Sequence, residues 1–465
     1  MTLHPKTKEA YQLFHNGILA LSRAERAGIR IDMEKVEREQ QILTRKIAKL
    51  EDRFRQTKFY RHWEHSMNGK VNINSNHQLS IFLYKIKKIK PEKITESGQG
   101  STDDEALRTL NLPELDDLLE IRKLKKIRDT YLNSFTREQV DGYVHPVFNL
   151  HLVKTYRSSS DSPNFQNIPA KDEEAMSICR KVLFPRPGHI LLEADFKSIE
   201  VAMSACYNHD TQLIHYLKNP SSDMHADMAK QIFLLDTFDK SEKSNKLLRI
   251  ATKNGFVFPE FYGDYFGNCA INMACRWCGL PQGTWTTGQG VEIVQGGKQV
   301  YLSDHFISKG IKSFAAFTKH IEKVENDFWG RRFAEYAEWK NRWWSVYQKH
   351  GYIDLLTGFR CQGVMSYNDI TNYPIQGTAF HCLLWSIIEI DQIMRQEQWD
   401  SKLIGQIHDS MIFDVHPDEF PHVCDIIRKV TCEWLPKTWS WINVPLYVEL
   451  EAAPVDGSWM EKEKV

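Results

Sequence analysis

Two aspartates stand where a carboxylate is rarely left without a partner. Asp195 closes an apolar run, HILLEADF at residues 189–196, and Asp409 lies between the two short apolar runs of KLIGQIHDSMIFDV at 402–415. An ionised carboxylate beside a buried strand is costly unless it is paired. Either residue alone could be a strand-end turn acid. Converging from different strands, the two make hard oxygen ligands for divalent cations such as magnesium. Two metals held in this way could activate a hydroxyl and stabilise the leaving oxygen of an in-line phosphoryl displacement. Arg249 and Lys253 are four apart and so share a helix face. Two cations on one face suit a triphosphate, although a lone pair of this kind is usually a solvated surface.

These residues need elements to hold them. The run 189–196 predicts a strand leading into a helix that begins near Ser198, and 402–415 predicts a hairpin with its turn at His408-Asp409. In 34–54, Val36, Leu43, Ile47, Leu50 and Phe54 form one stripe of an amphipathic helix; Leu124, Ile127, Tyr131 and Phe135 repeat the pattern in 115–135. Between them Lys85, Lys87, Lys88, Lys90 and Lys93 mark a basic insertion, either a solvated loop or a sugar-phosphate contact. Residues 222–350 read as mostly helical, interrupted by a Gly-rich stretch at 279–297 expected to be an exposed insertion. Asp32-x-Glu34 reads as a helix start.

Composition bounds the answer without choosing a ligand. A chain of 465 residues predicts two or three subdomains. Hydrophobic residues at 42% with 26% charged describe a globular chain, and the absence of a long apolar run or of a signal-peptide core predicts a cytoplasmic protein with no membrane partner. Sixty basic and sixty acidic residues cancel, which leaves a basic cleft possible but unannounced. Nine scattered cysteines predict free thiols; Cys269, Cys275 and Cys278 cluster but lack a fourth zinc ligand.

Six segments, in order, resemble the motifs of family A DNA polymerases, the DNA polymerase I type. Asp195-Phe-Lys-Ser-Ile-Glu200 resembles the first catalytic motif, usually Asp-Tyr-Ser-Gln-Ile-Glu, and Gln406-Ile-His-Asp-Ser410 the third, usually Gln-Val-His-Asp-Glu. Arg249-Ile-Ala-Thr-Lys253 with Phe256-Val-Phe-Pro-Glu-Phe-Tyr262-Gly263 resembles the second. Thr155-Tyr-Arg157-Ser-Ser-Ser-Asp-Ser-Pro163-Asn-Phe-Gln166-Asn167-Ile-Pro169, Asp223-Met-His225 and Asn372-Tyr-Pro-Ile-Gln376-Gly-Thr378 complete the set. Arg26-Ala-Gly28-Ile-Arg-Ile-Asp32 and Asn74-Ser-Asn-His-Gln78-Leu79 look like thumb segments of the same family.

The resemblance implies a mixed α+β fold in the shape of a right hand with an antiparallel palm sheet: thumb at 1–140, palm at 141–221 and 366–465, fingers at 222–365 with an insertion near 264–300. It implies two Mg2+ ions on Asp195, Asp409 and the Phe196 backbone carbonyl, and a dNTP held by Arg249, Lys253, His225, Phe258 and Tyr262. Glu200 would exclude a ribose 2′-hydroxyl. Arg157, Gln166, Asn167, Asn372, Gln376 and His408 would contact primer-template DNA in the minor groove, where the acceptor pattern is the same for A·T and T·A.

The second motif departs from the family. Lys253 precedes Tyr262 by nine residues, one more than usual. Counting four on from Lys253 selects Val257 as the residue packed on the incoming base, and counting back from Tyr262 selects Phe258. A one-residue insertion absorbed as a π-bulge would bring Phe258 onto the Arg249/Lys253 face, with Pro259 then interrupting the helix; Phe256 is the alternative. Ser198 replaces a Gln, Ser410 an acid and His381 an Asp. The expected activity is template-directed DNA synthesis of phage type, without a proofreading nuclease, with a separate exonuclease or processivity factor as candidate partners. The rivals are a single-subunit RNA polymerase, whose third motif also reads His-Asp-Ser, and a catalytically silent primer-template-binding relative.

Overall fold

A computed structural model describes residues 4–91, 93–95, 98–110, 112–170, 172–219 and 221–465. Its centre is an antiparallel sheet of five strands: β1 (Ile190–Phe196), β2 (Lys402–Ile407), β3 (Ser410–Val415), β4 (Val448–Ala452) and β5 (Glu463–Lys464), in the order β2-β3-β1-β4-β5. Strand β1 lies in the middle and is paired along both edges; its apolar residues are largely buried, while Asp195 near its end is exposed. The register sets Asp195 opposite Ser410 on one side and Glu449 on the other.

Alternation along the strands feeds two cores. Leu192, Ala194, Phe196, Met411, Phe413 and Leu450 join the larger one, while Leu191, Ile404 and Ile412 join the second. The second core is shared with α2 (Met33–Arg55) and α3 (Pro113–Lys125), which bury Val36, Leu43, Ile47 and Phe54 on one side and Leu118, Ile121 and Leu124 on the other. Asp32 caps α2, its carboxylate accepting from the Lys35 N–H at 3.0 Å. The lysine-rich stretch is mostly exposed, with the Lys87 ammonium 5.0 Å from the centre of the Phe59 ring.

The helix preceding this unit packs elsewhere. Helix α1 (Lys8–Ala27) buries Leu13, Phe14, Leu21 and Ala24 in the larger core, so the described residues before 140 are divided between two cores.

Beyond β1 come α4 (Ile199–Asn208), α5 (Met224–Phe233), α6 (Lys243–Thr252), α7 (Phe258–Phe261), α8 (Ala334–His350) and the long α9 (Tyr367–Gln396), which returns the chain to the sheet. The stretch 279–297 is not simply an exposed loop. Trp285 is buried against Phe306 at 5.5 Å and Phe317 at 5.9 Å, and Ile293 is buried within a hairpin of Glu292–Gln295 and Lys298–Tyr301. Two apolar anchors outweigh its glycines. Among the described residues no disulfide forms, and no helix is long and apolar enough to cross a membrane.

Candidate active site

The sheet delivers two carboxylates to one cleft. Asp195 is the next-to-last residue of β1, and Asp409 sits in the β2–β3 turn, where His408 takes a left-handed conformation (φ 48°). The Phe196 N–H donates to the Asp409 carbonyl at 3.1 Å and fixes that turn beside β1. Burial pushes the Asp195 carboxyl up to about 7, and the charge of Asp409 adds to it. Burial raises Asp409 as well, opposed by the charges of Arg157 and His408. Neighbouring acids held up by burial are hard oxygen donors of the kind that suit divalent cations. Among the described residues no group of three or more His, Cys, Asp or Glu is disposed to hold a metal ion. Ser410, where a further acid would help, is buried and donates its hydroxyl to the Ile407 carbonyl at 3.0 Å.

Facing the acids is a helix with one residue too many for its ends. Between α6 and α7 the chain forms a π-helix, Lys253–Val257, which absorbs the extra residue. Val257 and Phe256 are thereby buried, Phe256 edge-on to Phe328 at 5.4 Å, and Phe258 lines the cleft with the Lys253 ammonium 5.1 Å from its ring centre. Pro259 does not interrupt the helix as expected. It occupies the first turn of α7, where a missing N–H leaves nothing unsatisfied.

The cations are held in place by their surroundings. Arg249 Nε donates to both oxygens of Asp223, at 2.9 and 3.1 Å, while Asp223 also caps α5 and pairs with Lys240 at 3.2 Å. His225, on α5, sets its ring edge-on to Phe258 at 5.8 Å. Its Nδ1 is buried with no hydrogen-bond partner among the described residues. Burial, and then the charges of Arg249 and Lys253, lower its imidazole to about 4, so it is neutral at pH 7. Burial and the Arg249 charge also lower Lys253. Neighbouring cations and an unpartnered ring nitrogen are chemistry that suits an anion.

Glu200, in the first turn of α4, accepts a hydrogen bond from the Tyr262 hydroxyl and forms an ion pair with Arg157. Asn372 Nδ2 donates to the Tyr262 carbonyl at 3.1 Å. Gly263 follows with φ +89°, and a Cβ there would strike the Asn368 amide. Gly377 lets α9 approach the segment carrying Arg157: a Cβ there would strike the Thr155 carbonyl. Gln166 Nε2 donates to Gln406 Oε1 at 2.6 Å, and Gln406 Nε2 donates to the His408 carbonyl at 2.7 Å.

A cavity of about 280 Å³ is lined by Asp195, Phe196, Glu200, Lys253, Phe258, Tyr262, Asn372, Gln376 and Asp409. Outside this lining, His225 packs on Phe258, Arg157 pairs with Glu200, and the charge of Arg249 acts on Lys253. Gln166 holds the turn from below, His408 is exposed at the hairpin tip, and Asn167 is exposed outside the lining. Asp223 and Gln406 sit within the sequence motifs without a role that spacing could assign; both turn out to be anchors. His381 belongs to the core: it packs edge-on to Phe14 at 5.2 Å, its Nδ1 lies 2.6 Å from the Thr357 hydroxyl, and burial lowers it to about 3.

The chain is similar to known proteins over most of its length. The family described as DNA polymerase family A matches residues 34–264 and 312–461. The chain is 25% identical to DNA polymerase I of Bacillus subtilis (strain 168) over 449 residues, covering 95% of this chain and 44% of that protein. It is 28% identical to DNA polymerase I of Caldicellulosiruptor bescii over 442 residues, covering 93% and 45%. The chain thus spans less than half the length of these relatives. Among solved structures, the POL domain of Pol1 from M. smegmatis, in complex with DNA primer-template and dNTP, superposes with a TM-score of 0.72 at 22% identity, over 96% of this chain and 70% of that one. The shared fold is therefore the mixed α/β, palm-fingers-thumb type.

Proposed function

The chain belongs to DNA polymerase family A, and from that membership we propose that it is a template-directed DNA polymerase adding deoxynucleoside monophosphates to a primer 3′ end. One observation carries the reading: a single cleft gathers the paired acids Asp195 and Asp409, the cation Lys253 and the aromatic Phe258. We take the palm as the five-stranded sheet with its flanking helices, the fingers as 222–365, and the thumb as the unit built on α2 and α3.

The acids fit two magnesium ions, because both are hard oxygen donors; burial lifts each of them, and the charge of Asp409 lifts Asp195 further. Asp195, Asp409 and the Phe196 carbonyl would hold them. When bound, such ions supply a more acidic primer hydroxyl and a stabilised leaving pyrophosphate. The rest falls to side chains. Arg249, Lys253 and the neutral His225 bind the triphosphate, with Asp223 fixing the direction of Arg249. Phe258 stacks under the incoming base, and Tyr262 closes the edge of the pocket. Glu200 occupies the space beneath the sugar and leaves none for a 2′-hydroxyl. Gln166, Asn167, Asn372, Gln376, His408 and, once released from Glu200, Arg157 follow the minor groove.

Primer extension with deoxynucleotides against ribonucleotides tests this. Extension by the wild type with deoxynucleotides, lost in Asp195→Asn and in Asp409→Asn while primer-template binding survives, is the expected result. Equal use of ribonucleotides would favour an RNA polymerase. Binding without extension by the wild type would favour a silent relative.

A further inference from the structure

Glu260 lies on the same helical run as Arg249, Lys253, Phe258 and Tyr262, yet it points away from the cleft and is 1% exposed. Four other elements converge on it. Trp329, from the π-helix Phe328–Arg332, donates its indole N–H to Oε2 at 2.8 Å. Cys269, from the helix Phe266–Ala270, donates to Oε1 at 3.4 Å. Lys340, from α8, donates to the Glu260 backbone carbonyl at 3.4 Å, its own buried ammonium 3.6 Å from the centre of the Trp329 ring. Glu325, from the helix Phe314–Asp327, brings its charge to bear on the carboxyl and accepts from the Phe266 N–H at 2.8 Å.

An acid buried this deeply costs several kcal/mol unless its bonds are satisfied. Here they are satisfied by groups from separate elements, which makes the side chain a fastener and not a filler. Its position matters. It is two residues after Phe258 and two before Tyr262, and Tyr262 in turn contacts Glu200 and Asn372. We infer that Glu260 is a positioning residue for nucleotide addition, fixing the end of α7 on the lobe's core and thereby setting where Phe258 and Tyr262 meet the incoming nucleotide. The inference rests on the polymerase reading of the cleft.

The protonation state that this packing favours sharpens the test. Burial pushes the Glu260 carboxyl up to about 8, with the charge of Glu325 adding to it and the Trp329 bond opposing. The titratable groups facing it are Glu325, Cys269 and Lys340. Burial pushes the Cys269 thiol far up and brings Lys340 down to about 7. A neutral acid accepts from Trp329 and can donate to Glu325; a glutamine amide can do both, whereas leucine can do neither.

Single-nucleotide incorporation and primer-template binding are therefore measured for the whole chain and for Glu260→Gln, Glu260→Leu and Trp329→Phe. Glu260→Leu should raise the nucleotide KM about tenfold and lower kcat, because small misplacements at a reacting site are steeply felt. Primer-template affinity should stay within about twofold, since the polymerase reading assigns the duplex contacts to other residues. Glu260→Gln should restore both constants to near wild type, and Trp329→Phe should fall between. As pH rises and Glu260 ionises beside Glu325, the wild-type KM should climb more steeply than that of the Gln variant, which keeps the other titrating groups, Lys253, Lys340 and Cys269. Glu260→Gln as impaired as Glu260→Leu, an unchanged kcat/KM in Glu260→Leu, or an equal loss of duplex affinity overturns the inference. Each of these is read against a wild type that extends primers. A wild type that extends none overturns the polymerase reading, and this inference with it.

Discussion

Replacing Asp195 by Asn should stabilise the metal-free protein while destroying its activity, and the gain should depend on pH. The folded chain holds this carboxyl at about 7, first through burial and next through Asp409, against an ordinary aspartate near 4 in the unfolded chain. An acid raised in the folded state contributes most below its unfolded value, and that contribution is lost as pH rises through the folded one. The penalty therefore grows from about pH 4 and levels off above about pH 7, reaching ~4 kcal/mol at face value. Asp195 lines a cleft and its carboxylate reaches water, so screening reduces this to ~1–2 kcal/mol. Asn has nearly the same shape and no charge to bury. For a chain of this size that gain corresponds to a rise in Tm of about 1–3 °C at pH 8, and to less than half as much near pH 5. The assay is thermal unfolding in EDTA at both pH values, with circular dichroism. Adding magnesium should then raise the wild-type Tm and leave that of the Asn variant nearly unmoved, because only the wild type keeps the pair. An Asn variant less stable than wild type at pH 8, or a difference that ignores pH, would refute the assignment of a strained acid pair.

Lys253→Ala should lower kcat by about 100-fold with primer-template affinity intact, since the lost cation acts on the triphosphate; a loss confined to DNA affinity would place the helix on the duplex. Phe258→Ala should raise the nucleotide KM at small cost to stability. Phe256→Ala should cost ~3–5 kcal/mol of stability, because that ring is wholly buried; reversed outcomes in thermal melts and steady-state kinetics would exchange their roles. Glu200→Ala should let ribonucleotides in more readily, read as the ratio of kcat/KM for the two sugars, and an unchanged ratio would move the gate to another residue.

The sheet and its acids were legible because an apolar run that ends in a carboxylate sets a charge at the rim of a buried strand, and two such runs make a pair. The amphipathic stripe from Val36 to Phe54 was legible for a similar reason: spacing alone names the buried face. What spacing cannot name is the surface that covers it. Nothing in residues 8–27 says that Leu13 and Leu21 join the sheet's larger core and not that of α2. The glycines of 279–297 predicted exposure, and Trp285 and Ile293 overruled them through contacts made far along the chain. The same blindness hid the anchors. Asp223 and Glu260 are ordinary acids until Arg249 and Trp329 arrive from other elements.

The extra residue between Lys253 and Tyr262 ties the cleft to its support. In an unbroken α-helix one added residue turns everything beyond it by ~100°, which would put Val257 into the cleft and carry Phe258 away from Lys253. The π-helix at Lys253–Val257 takes up that turn, so Phe258 returns to the cleft and Val257 goes inward. Such a bulge is less stable than the helix it replaces and usually survives where a site needs it. It must also be held at its far end, or the helix could slip back into register. Glu260 supplies that hold, three residues beyond the bulge, through bonds to Trp329 and Cys269. A longer second motif and an acid buried behind it thus go together: the first displaces the nucleotide-facing aromatic, and the second keeps it where the displacement has been corrected.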